Sequence, residues 1–320
     1  MRRFLYICLI LLGYLYSEAQ QYPWFTQNRS NIYLYNPAYC GTRRVVDFRA
    51  FYRNQWTGYA GAPKTVAATL NFRYAGGKLG TGLFVYQDNI GPFQNTVIAL
   101  SLAYHLKFDD VELSFGGTGS YYSQWFNGNK VTLHNQIDQS VNLYVSDKAT
   151  NYDGSFGLML YNDRFHFGMA INNMAGSELL HYTNDPDRKG KYTNVNNFVL
   201  NAGYNFSENP EFIFENSIMA LYTSGVPFYF DYTLRMHVRN AMFGGVSVRF
   251  KDAIALQLGI TFKKDFQICY SYDILTSPLR KYQKGSHEIS LIFSTNAGTD
   301  KKRRGFNGKF LRQKFQYLLQ

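Results

Sequence analysis

The sequence has 320 residues, a formal net charge of +11 and an aromatic content of 18%, while charged residues make up only 17%. An ordinary soluble domain carries about 25% charged residues, and this much apolar and aromatic surface excludes a disordered chain. Three cysteines are too few for a disulfide-stapled mini-domain or a multi-cysteine zinc module.

The first 19 residues have the pattern of a secretory leader. Two arginines are followed by an apolar run at residues 4–16, and the small residue Ala19 ends the segment. The run is shorter than the roughly 20 residues that a membrane-spanning helix needs. We therefore expect residues 1–19 to be a signal peptide and the exported chain to begin at Gln20. A short N-terminal anchor helix is the alternative.

Residues 20–44 are rich in aromatic side chains and show no period of two. They include Trp24, Phe25 and several tyrosines. Because such a segment would not remain free in water, we expect it to pack against the remainder of the protein. It would do so either as a plug inside the strands that follow or against their periplasmic rim.

From residue 45 to residue 296, large apolar residues alternate with small or polar ones. In the segment 97–108 the even positions are large and apolar, and most of the odd positions are small or polar. Alternation of this kind is typical of β-strands with one apolar face. It predicts fourteen strands, near residues 45–54, 64–74, 79–88, 95–108, 111–124, 153–161, 164–173, 193–206, 211–223, 227–238, 241–250, 253–263, 265–275 and 286–296.

A soluble barrel or sandwich and a membrane barrel could both produce this alternation. The predicted strands have about 10–14 residues, whereas strands of soluble proteins usually have 5–6. The polar face is rich in Gly, Ser, Asn and Thr, which suits a lumen. Tyrosines near predicted strand ends suit the aromatic girdles of a membrane barrel. These are Tyr74, Tyr86, Tyr121, Tyr122, Tyr222, Tyr229 and Tyr232.

The connections favour an all-β transmembrane barrel with both chain ends in the periplasm. Tight turns follow the even-numbered predicted strands, and long connections follow most of the odd-numbered ones. Short turns on one side and long loops on the other are typical of outer-membrane barrels. The long connections are predicted at residues 54–63, 88–94, 125–152, 174–192 and 276–285.

The sequence shows no pattern of catalytic or cofactor-binding residues. None of the six histidines has the spacing of a zinc site, and the glycine pairs are not followed by helices, as a phosphate loop requires. Ser101 and His105 share one face of a strand, but about 13 Å separates them along it, too far for a nucleophile and its base. We therefore expect neither enzymatic activity nor a bound cofactor or metal.

Five short motifs, in order along residues 21–296, resemble the PorP/SprF family of type IX secretion membrane proteins. The motif residues are Asn36, Pro37, Ala38 and Gly41, then Tyr52, Arg53, Asn54, Gln55 and Trp56, then Gly82, Asp88, Gly91 and Pro92, then Tyr270, Tyr272 and Asp273, and finally Ser286, His287, Glu288, Ile289, Ser290 and Leu291. The resemblance implies an outer-membrane barrel that serves type IX secretion and gliding without enzymatic activity. It assigns no role to any of these residues.

Residues 297–320 form a basic tail beyond the last strand, and more than half of the net charge of the exported chain lies there. Apolar residues at roughly helical spacing alternate with basic ones, which predicts an amphipathic helix. It could dock on a periplasmic partner, contact lipid headgroups or remain solvated, and a nucleic-acid partner is not indicated. The residues that would dock are Lys301, Lys302, Arg303, Arg304, Phe310 and Phe315.

Together these features predict a barrel component of type IX secretion or gliding machinery in the outer membrane. Its partners would be lipid, a large surface adhesin or other cargo, and periplasmic secretion or motor proteins. The principal alternative is a general porin or small-solute channel, and a lipid-modifying barrel enzyme is a weaker one. The long connection at residues 125–152 could cap the pore or bind cargo.

Overall fold

The computed structural model describes residues 23–42, 46–74, 76–131, 146–182, 189–209, 211–239, 241–262 and 265–295. The predicted leader at residues 1–19 and the basic tail at residues 297–320 lie outside the described residues. None of the described helices is long and apolar enough to cross a membrane.

Within the described residues, fourteen antiparallel strands close into a barrel, as the alternation predicts. Each barrel strand pairs with the barrel strands before and after it in the chain, and β1 pairs with β16 to complete the cylinder. The strands β8 and β9 form a separate hairpin, so β7 pairs directly with β10. The strands are β1 (Val46–Asn54), β2 (Lys64–Arg73), β3 (Leu79–Ile90), β4 (Phe93–Phe108), β5 (Val111–Asn127), β6 (Ser146–Tyr161), β7 (Phe165–Asn172), β8 (Glu178–Tyr182), β9 (Lys189–Thr193), β10 (Asn197–Asn209), β11 (Phe212–Thr223), β12 (Tyr229–Val238), β13 (Met242–Arg249), β14 (Ala253–Phe262), β15 (Phe266–Leu275) and β16 (Ser286–Thr295).

The large apolar side chains point away from the barrel axis. On β4, Leu100 and Leu102 are each 67% exposed, whereas Ser101 between them is 2% exposed. A closed barrel leaves no unpaired strand edge in the hydrocarbon, so these apolar side chains can face lipid while every strand keeps its partners. The fold and its apolar exterior place the chain in the outer membrane.

The aromatic girdle is smaller than the sequence predicts. Tyr86, Tyr122 and Tyr229 lie on the inward-facing phase of their strands, where they line the interior. Position near a strand end does not decide orientation, since a shift of one residue moves a side chain to the opposite face. Tyr74, Tyr222 and Tyr232 do face outward, with 49%, 53% and 40% of their surface exposed.

The two ends of the barrel differ, and we call them the turn side and the loop side. Both ends of the barrel chain and the short turns after β2, β4, β6, β10, β12 and β14 lie on the turn side. In an outer-membrane barrel this side faces the periplasm. The loop side carries the longer connections, including those at residues 55–63 and 276–285.

Three connections on the loop side differ from the sequence prediction. The predicted connection at 88–94 is a two-residue turn at Gly91 and Pro92, because β3 and β4 stay paired up to Ile90 and Phe93. Pairing of β5 with β6 continues to Asn127 and Ser146, which shortens the predicted loop at 125–152. The predicted connection at 174–192 contains the β8–β9 hairpin.

Candidate functional site

The barrel interior is occupied by residues 23–42, which we call the interior segment. It contains two short 3₁₀ helices, Asn28–Leu34 and Pro37–Tyr39. Thr26 contacts Glu288 near the loop-side start of β16, whereas Gly41 lies against Gly80 near the turn-side start of β3. The segment therefore runs from the loop side to the turn side, and the main apolar core lies between it and the inner wall.

Near the loop side the inner wall carries a buried charged cluster, which we call the anchor cluster. It consists of Arg53 on β1, Arg249 on β13, Asp273 on β15 and Glu288 on β16. Arg53 lies 2.7 Å from Asp273 Oδ2 and 3.1 Å from Glu288 Oε2, and Arg249 lies 3.3 Å from Asp273. All four residues are 5% exposed or less. Arg249 is also paired with the partly exposed Asp252 at 2.9 Å and lies 3.8 Å from the buried Asp231, so carboxylates outnumber the two cations around this site.

The anchor cluster binds the start of the interior segment. Glu288 accepts hydrogen bonds from the backbone N–H groups of Thr26, at 2.7 Å, and Gln27, at 3.0 Å. These groups immediately precede the first 3₁₀ helix, so the carboxylate fixes the backbone at the entry to this helix. The Thr26 hydroxyl donates to Asp273 at 2.7 Å and accepts from Arg53 at 2.6 Å.

A second set of charges holds the first 3₁₀ helix in the middle of the barrel. Arg29 of the segment forms an ion pair with Glu215 of β11, at 2.7 Å. Arg235 of β12 donates to the Ser30 hydroxyl at 2.9 Å, and Arg49 of β1 donates to the Ser30 carbonyl. The arginines that contact Ser30 extend from the wall towards the axis, so they bridge the space between strand and segment.

Towards the turn side, the wall contacts the interior segment through glycines instead of charged side chains. An added Cβ at Gly116 on β5 would overlap the backbone of Pro37 and Ala38, and one at Gly80 on β3 would overlap the carbonyl of Cys40. Such close backbone approach is possible only where the wall lacks a side chain. The other inward glycines against the segment are Gly82, Gly157 and Gly168.

Hydrogen bonds from wall side chains fix the second half of the segment. Tyr33 donates to Ser101 at 2.9 Å, and a ring nitrogen of His105 lies 3.0 Å from the carbonyl of Cys40. The amide of Asn36 reaches the carbonyls of two strands, β6 and β7, at 3.1 and 3.3 Å. Burial raises the pKa of the Cys40 thiol well above its ordinary value, which keeps the thiol protonated and unreactive.

The structure brings several residues of the five motifs together around the interior segment. Arg53, Asp273 and Glu288 meet in the anchor cluster although they are far apart in sequence. The motif residues Asn36, Pro37, Ala38 and Gly41 belong to the segment itself and contact the glycine-lined wall.

Several other motif residues lie away from the interior segment. Asn54, Gln55, Trp56, Gly91 and Pro92 lie at or beyond strand ends on the loop side, and Asp88 lines a cavity there. His287 hydrogen-bonds to Tyr270 at 2.7 Å and packs against Tyr272, on the face of the strand opposite to Glu288. The tail residues Lys301, Lys302, Arg303, Arg304, Phe310 and Phe315 are outside the described residues.

Sequence reasoning missed Thr26 and Arg249 as members of this site. Thr26 has no local pattern around it, and its partner Glu288 is 262 positions away. Three members of the site could have been predicted from the sequence, because each is a charged residue at an inward position of a predicted strand. They are Glu215, Arg235 and Arg249. A charge at such a position needs a partner inside the barrel.

The arrangement is suited to holding a polypeptide rather than to catalysis. Ser101 is bonded to Tyr33 and Thr118, and His105 to Tyr161 and Cys40. Among the residues that the structure describes, no group of three or more His, Cys, Asp or Glu side chains could hold a metal ion.

Residues 17–293 match the model of the family described as "Type IX secretion system membrane protein PorP/SprF". No curated protein matches the chain. Among solved structures, the toluene transporter TodX of Pseudomonas putida is similar over 86% of this chain and 95% of its own, with 10% identity and a TM-score of 0.45. A FadL homologue of Pseudomonas aeruginosa is similar over 79% of this chain and 89% of its own, with 11% identity and a TM-score of 0.43. Omp33 of Acinetobacter baumannii covers 79% of this chain and 98% of its own, with 7% identity and a TM-score of 0.40.

Proposed function

This chain belongs to the PorP/SprF family of type IX secretion system membrane proteins, and we propose that it helps to deliver or anchor a large surface adhesin or similar cargo. The family and the barrel fold point to a non-enzymatic component of the outer membrane. The cargo would be recognised on the loop side, which faces the cell exterior, and secretion or motor proteins would bind on the periplasmic turn side.

One observation carries the proposal: the interior segment lies inside the barrel and is tied to the wall by buried charges. A channel for small solutes needs an open, hydrated lumen. Here the segment contacts strands all around the cylinder, from Glu288 on β16 to Asn201 on β10 and Ser101 on β4. We infer that the segment acts as a plug, and that the barrel serves as an attachment point rather than as a pore.

A partner on the periplasmic side is the second half of the proposal. The chain leaves the barrel on the turn side after β16, so the predicted basic tail at residues 297–320 would enter the periplasm. Its basic and apolar residues would suit a partner with an acidic, partly apolar surface. Purifying the full chain and a chain truncated after residue 296 from cells would test this, because the truncation should lose a periplasmic protein that the full chain retains.

The function is tested by deleting the gene and measuring adhesin on the cell surface. We expect the adhesin to be synthesised but absent from the surface, and display to return when the wild-type gene is restored. The Arg239→Ala variant is a matched control, because the Arg239 side chain forms an exposed ion pair with Glu211 on the turn side. Normal surface display of every large adhesin in the deletion strain would contradict the proposal.

Conductance in planar bilayers distinguishes a plugged barrel from a porin. We expect the wild-type protein to insert without producing open-channel steps. Gly116→Val, which displaces the segment from the wall, should produce steps that Gly119→Val does not, since Gly119 has open space beside it. Large, steady, salt-dependent steps from the wild-type protein would instead indicate a porin.

A further inference from the structure

A cavity of about 420 Å³ lies at the loop-side rim of the barrel. Its walls are the connection at residues 55–63, the turn between β3 and β4, and the start of the connection after β5. Lys64 and Lys130 line it, and none of the described residues in its lining is an aspartate or glutamate. Lys284 borders it as well, since its Cγ atom lies 3.7 Å from the Cβ position of the lining residue Gly58. The cavity therefore presents concentrated positive charge.

The strand register shows which way the cavity faces. On β2, Thr65 is 4% exposed and points into the barrel, so its neighbour Lys64 points outward. Asn54 on β1 and Asn89 on β3 are the register partners of Lys64, and they share its outward face. All three residues line the cavity. It therefore opens towards the surroundings of the barrel and not towards the lumen.

The outward row that contains Lys64 lies at the edge of the apolar band. Two positions towards the turn side, Val66 is outward and 52% exposed, and two residues of a strand span about 7 Å. The register continues the row through Gln94 and Trp125 to Lys148. Tryptophan and lysine are typical of the interface between hydrocarbon and water. Because the loop side faces the cell exterior, the cavity lies at the level of the lipid headgroups of the outer leaflet.

Backbone hydrogen bonds hold the walls of the cavity in place. The N–H group of Gly91 donates to the carbonyl of Gly61 at 2.9 Å, and the N–H group of Lys284 donates to the carbonyl of Thr57 at 2.7 Å. These bonds join three separate connections of the loop side. A site that is fixed in advance loses little conformational freedom when it binds a ligand.

We propose that this cavity binds the phosphate group of an outer-leaflet lipid, with Lys64 and Lys130 as counter-ions and the acyl chains against the apolar exterior beside Val66. Lysine is a common ligand of phosphate. The motif residue Trp56 also lines the cavity and suits the interface. An acidic protein segment would also attract lysines, but the outward row and the adjoining apolar band favour a lipid. The inference goes beyond the proposed function, because it concerns a lipid and not cargo.

The probe is dioctanoyl phosphatidic acid, titrated into the purified full chain in a non-ionic detergent. Native mass spectrometry counts the bound lipid. We expect saturable binding that weakens as the concentration of ammonium acetate is raised. Dioctanoyl phosphatidylcholine, whose phosphate already has a cation beside it, should bind much more weakly. Lys64→Gln and Lys130→Gln should each raise the dissociation constant of phosphatidic acid roughly tenfold.

Lys251→Gln is the matched control, because it removes the same charge from an exposed loop-side position between β13 and β14, away from the cavity. It should leave the dissociation constant unchanged. Each variant is checked for folding by the heat-dependent gel mobility of the intact barrel. An equal loss of binding in Lys251→Gln would mean that the lipid responds only to the general charge of the rim.

Two other results would also overturn the proposal. The predicted basic tail at residues 297–320 is present in every variant, so unchanged binding in both Lys64→Gln and Lys130→Gln would assign the lipid to the tail. Displacement of phosphatidic acid by an equal concentration of inorganic phosphate or of hexaglutamate would assign the cavity to a soluble anion or an acidic protein segment. Lipid binding and surface display are measured separately, so each proposal can be rejected alone.

Discussion

The two halves of the interior segment are held by different kinds of contact. Residues 23–30 are tied by buried charges to β1, β11–β13, β15 and β16, above all by the anchor cluster of Arg53, Arg249, Asp273 and Glu288. Residues 33–41 lie against β3–β7, where inward glycines allow the backbones to touch. The first half depends on charge pairing and the second on shape.

This difference has physical consequences for the segment. A buried ion pair contributes little net stability, but removing one partner leaves an uncompensated charge in a dry site. A glycine contact contributes through close packing and fails only when a side chain is added. The charged half therefore fixes which part of the chain sits at the loop side, and the glycine half fixes how closely the remainder fits.

The largest expected effect comes from Arg53→Ala, which leaves Asp273 and Glu288 without their shared cation. We expect the barrel to lose about 3–5 kcal/mol of unfolding free energy. Urea unfolding of the protein in vesicles measures the loss, and Arg239→Ala, which breaks an exposed ion pair, should change it by about 1 kcal/mol or less. A loss as small as that of the control would mean that the charges do not hold the segment.

A double substitution tests whether Arg53 and Glu288 stabilise the barrel as a pair. Glu288→Gln combined with Arg53→Ala removes one charge of each sign from the anchor cluster. Because the two residues are in contact, the combined loss should fall short of the sum of the single losses by about 1–3 kcal/mol. Additive losses in the same unfolding experiment would show that the two side chains act independently.

Gly116→Val tests the half that depends on shape. The added side chain overlaps the backbone of Pro37 and Ala38, so we expect a loss of about 1–3 kcal/mol and a displaced segment. Displacement should expose Cys40 and raise its labelling rate by a thiol reagent at least tenfold, since an unburied thiol ionises more readily. Gly119→Val, on the lipid-facing side of the same strand, should leave labelling unchanged. Unchanged labelling in Gly116→Val would place the segment elsewhere.

The smallest effect is expected from Tyr33→Phe, which removes one hydrogen bond to Ser101. Ser101 keeps its bond to Thr118 at 2.6 Å, so the loss should be about 1 kcal/mol. Tyr59→Phe, at an exposed loop tyrosine, serves as the control in the same unfolding measurement. A loss comparable with that of Arg53→Ala would contradict the division between the two halves.

The barrel could be predicted well because the alternation within each strand indicates which of its side chains face outward. Alternation at positions such as Leu100 and Ser101 depends only on neighbours two residues apart, and fourteen strands follow from it. The orientation of Tyr86 and Tyr229 was wrong because nearness to a strand end was given more weight than the alternation.

The site was less predictable, since its contacts join distant parts of the chain. The motif resemblance named Arg53, Asp273 and Glu288 but gave no indication that they meet. Thr26, which all three contact, has no distinctive neighbours in sequence. The separate β8–β9 hairpin was also missed, because five-residue strands are too short to show a clear period.

The register of β1 with β16 sets Arg53 directly opposite Glu288, so the first and last strands meet at the anchor cluster. Pairing of β1 with β16 completes the cylinder and brings Arg53 and Glu288 together at the inner wall. If residues 26 and 27 were absent from the lumen then, the carboxylate would lose two backbone partners. The interior segment therefore completes the hydrogen bonding of a carboxylate that lies on the seam between the first and last strands.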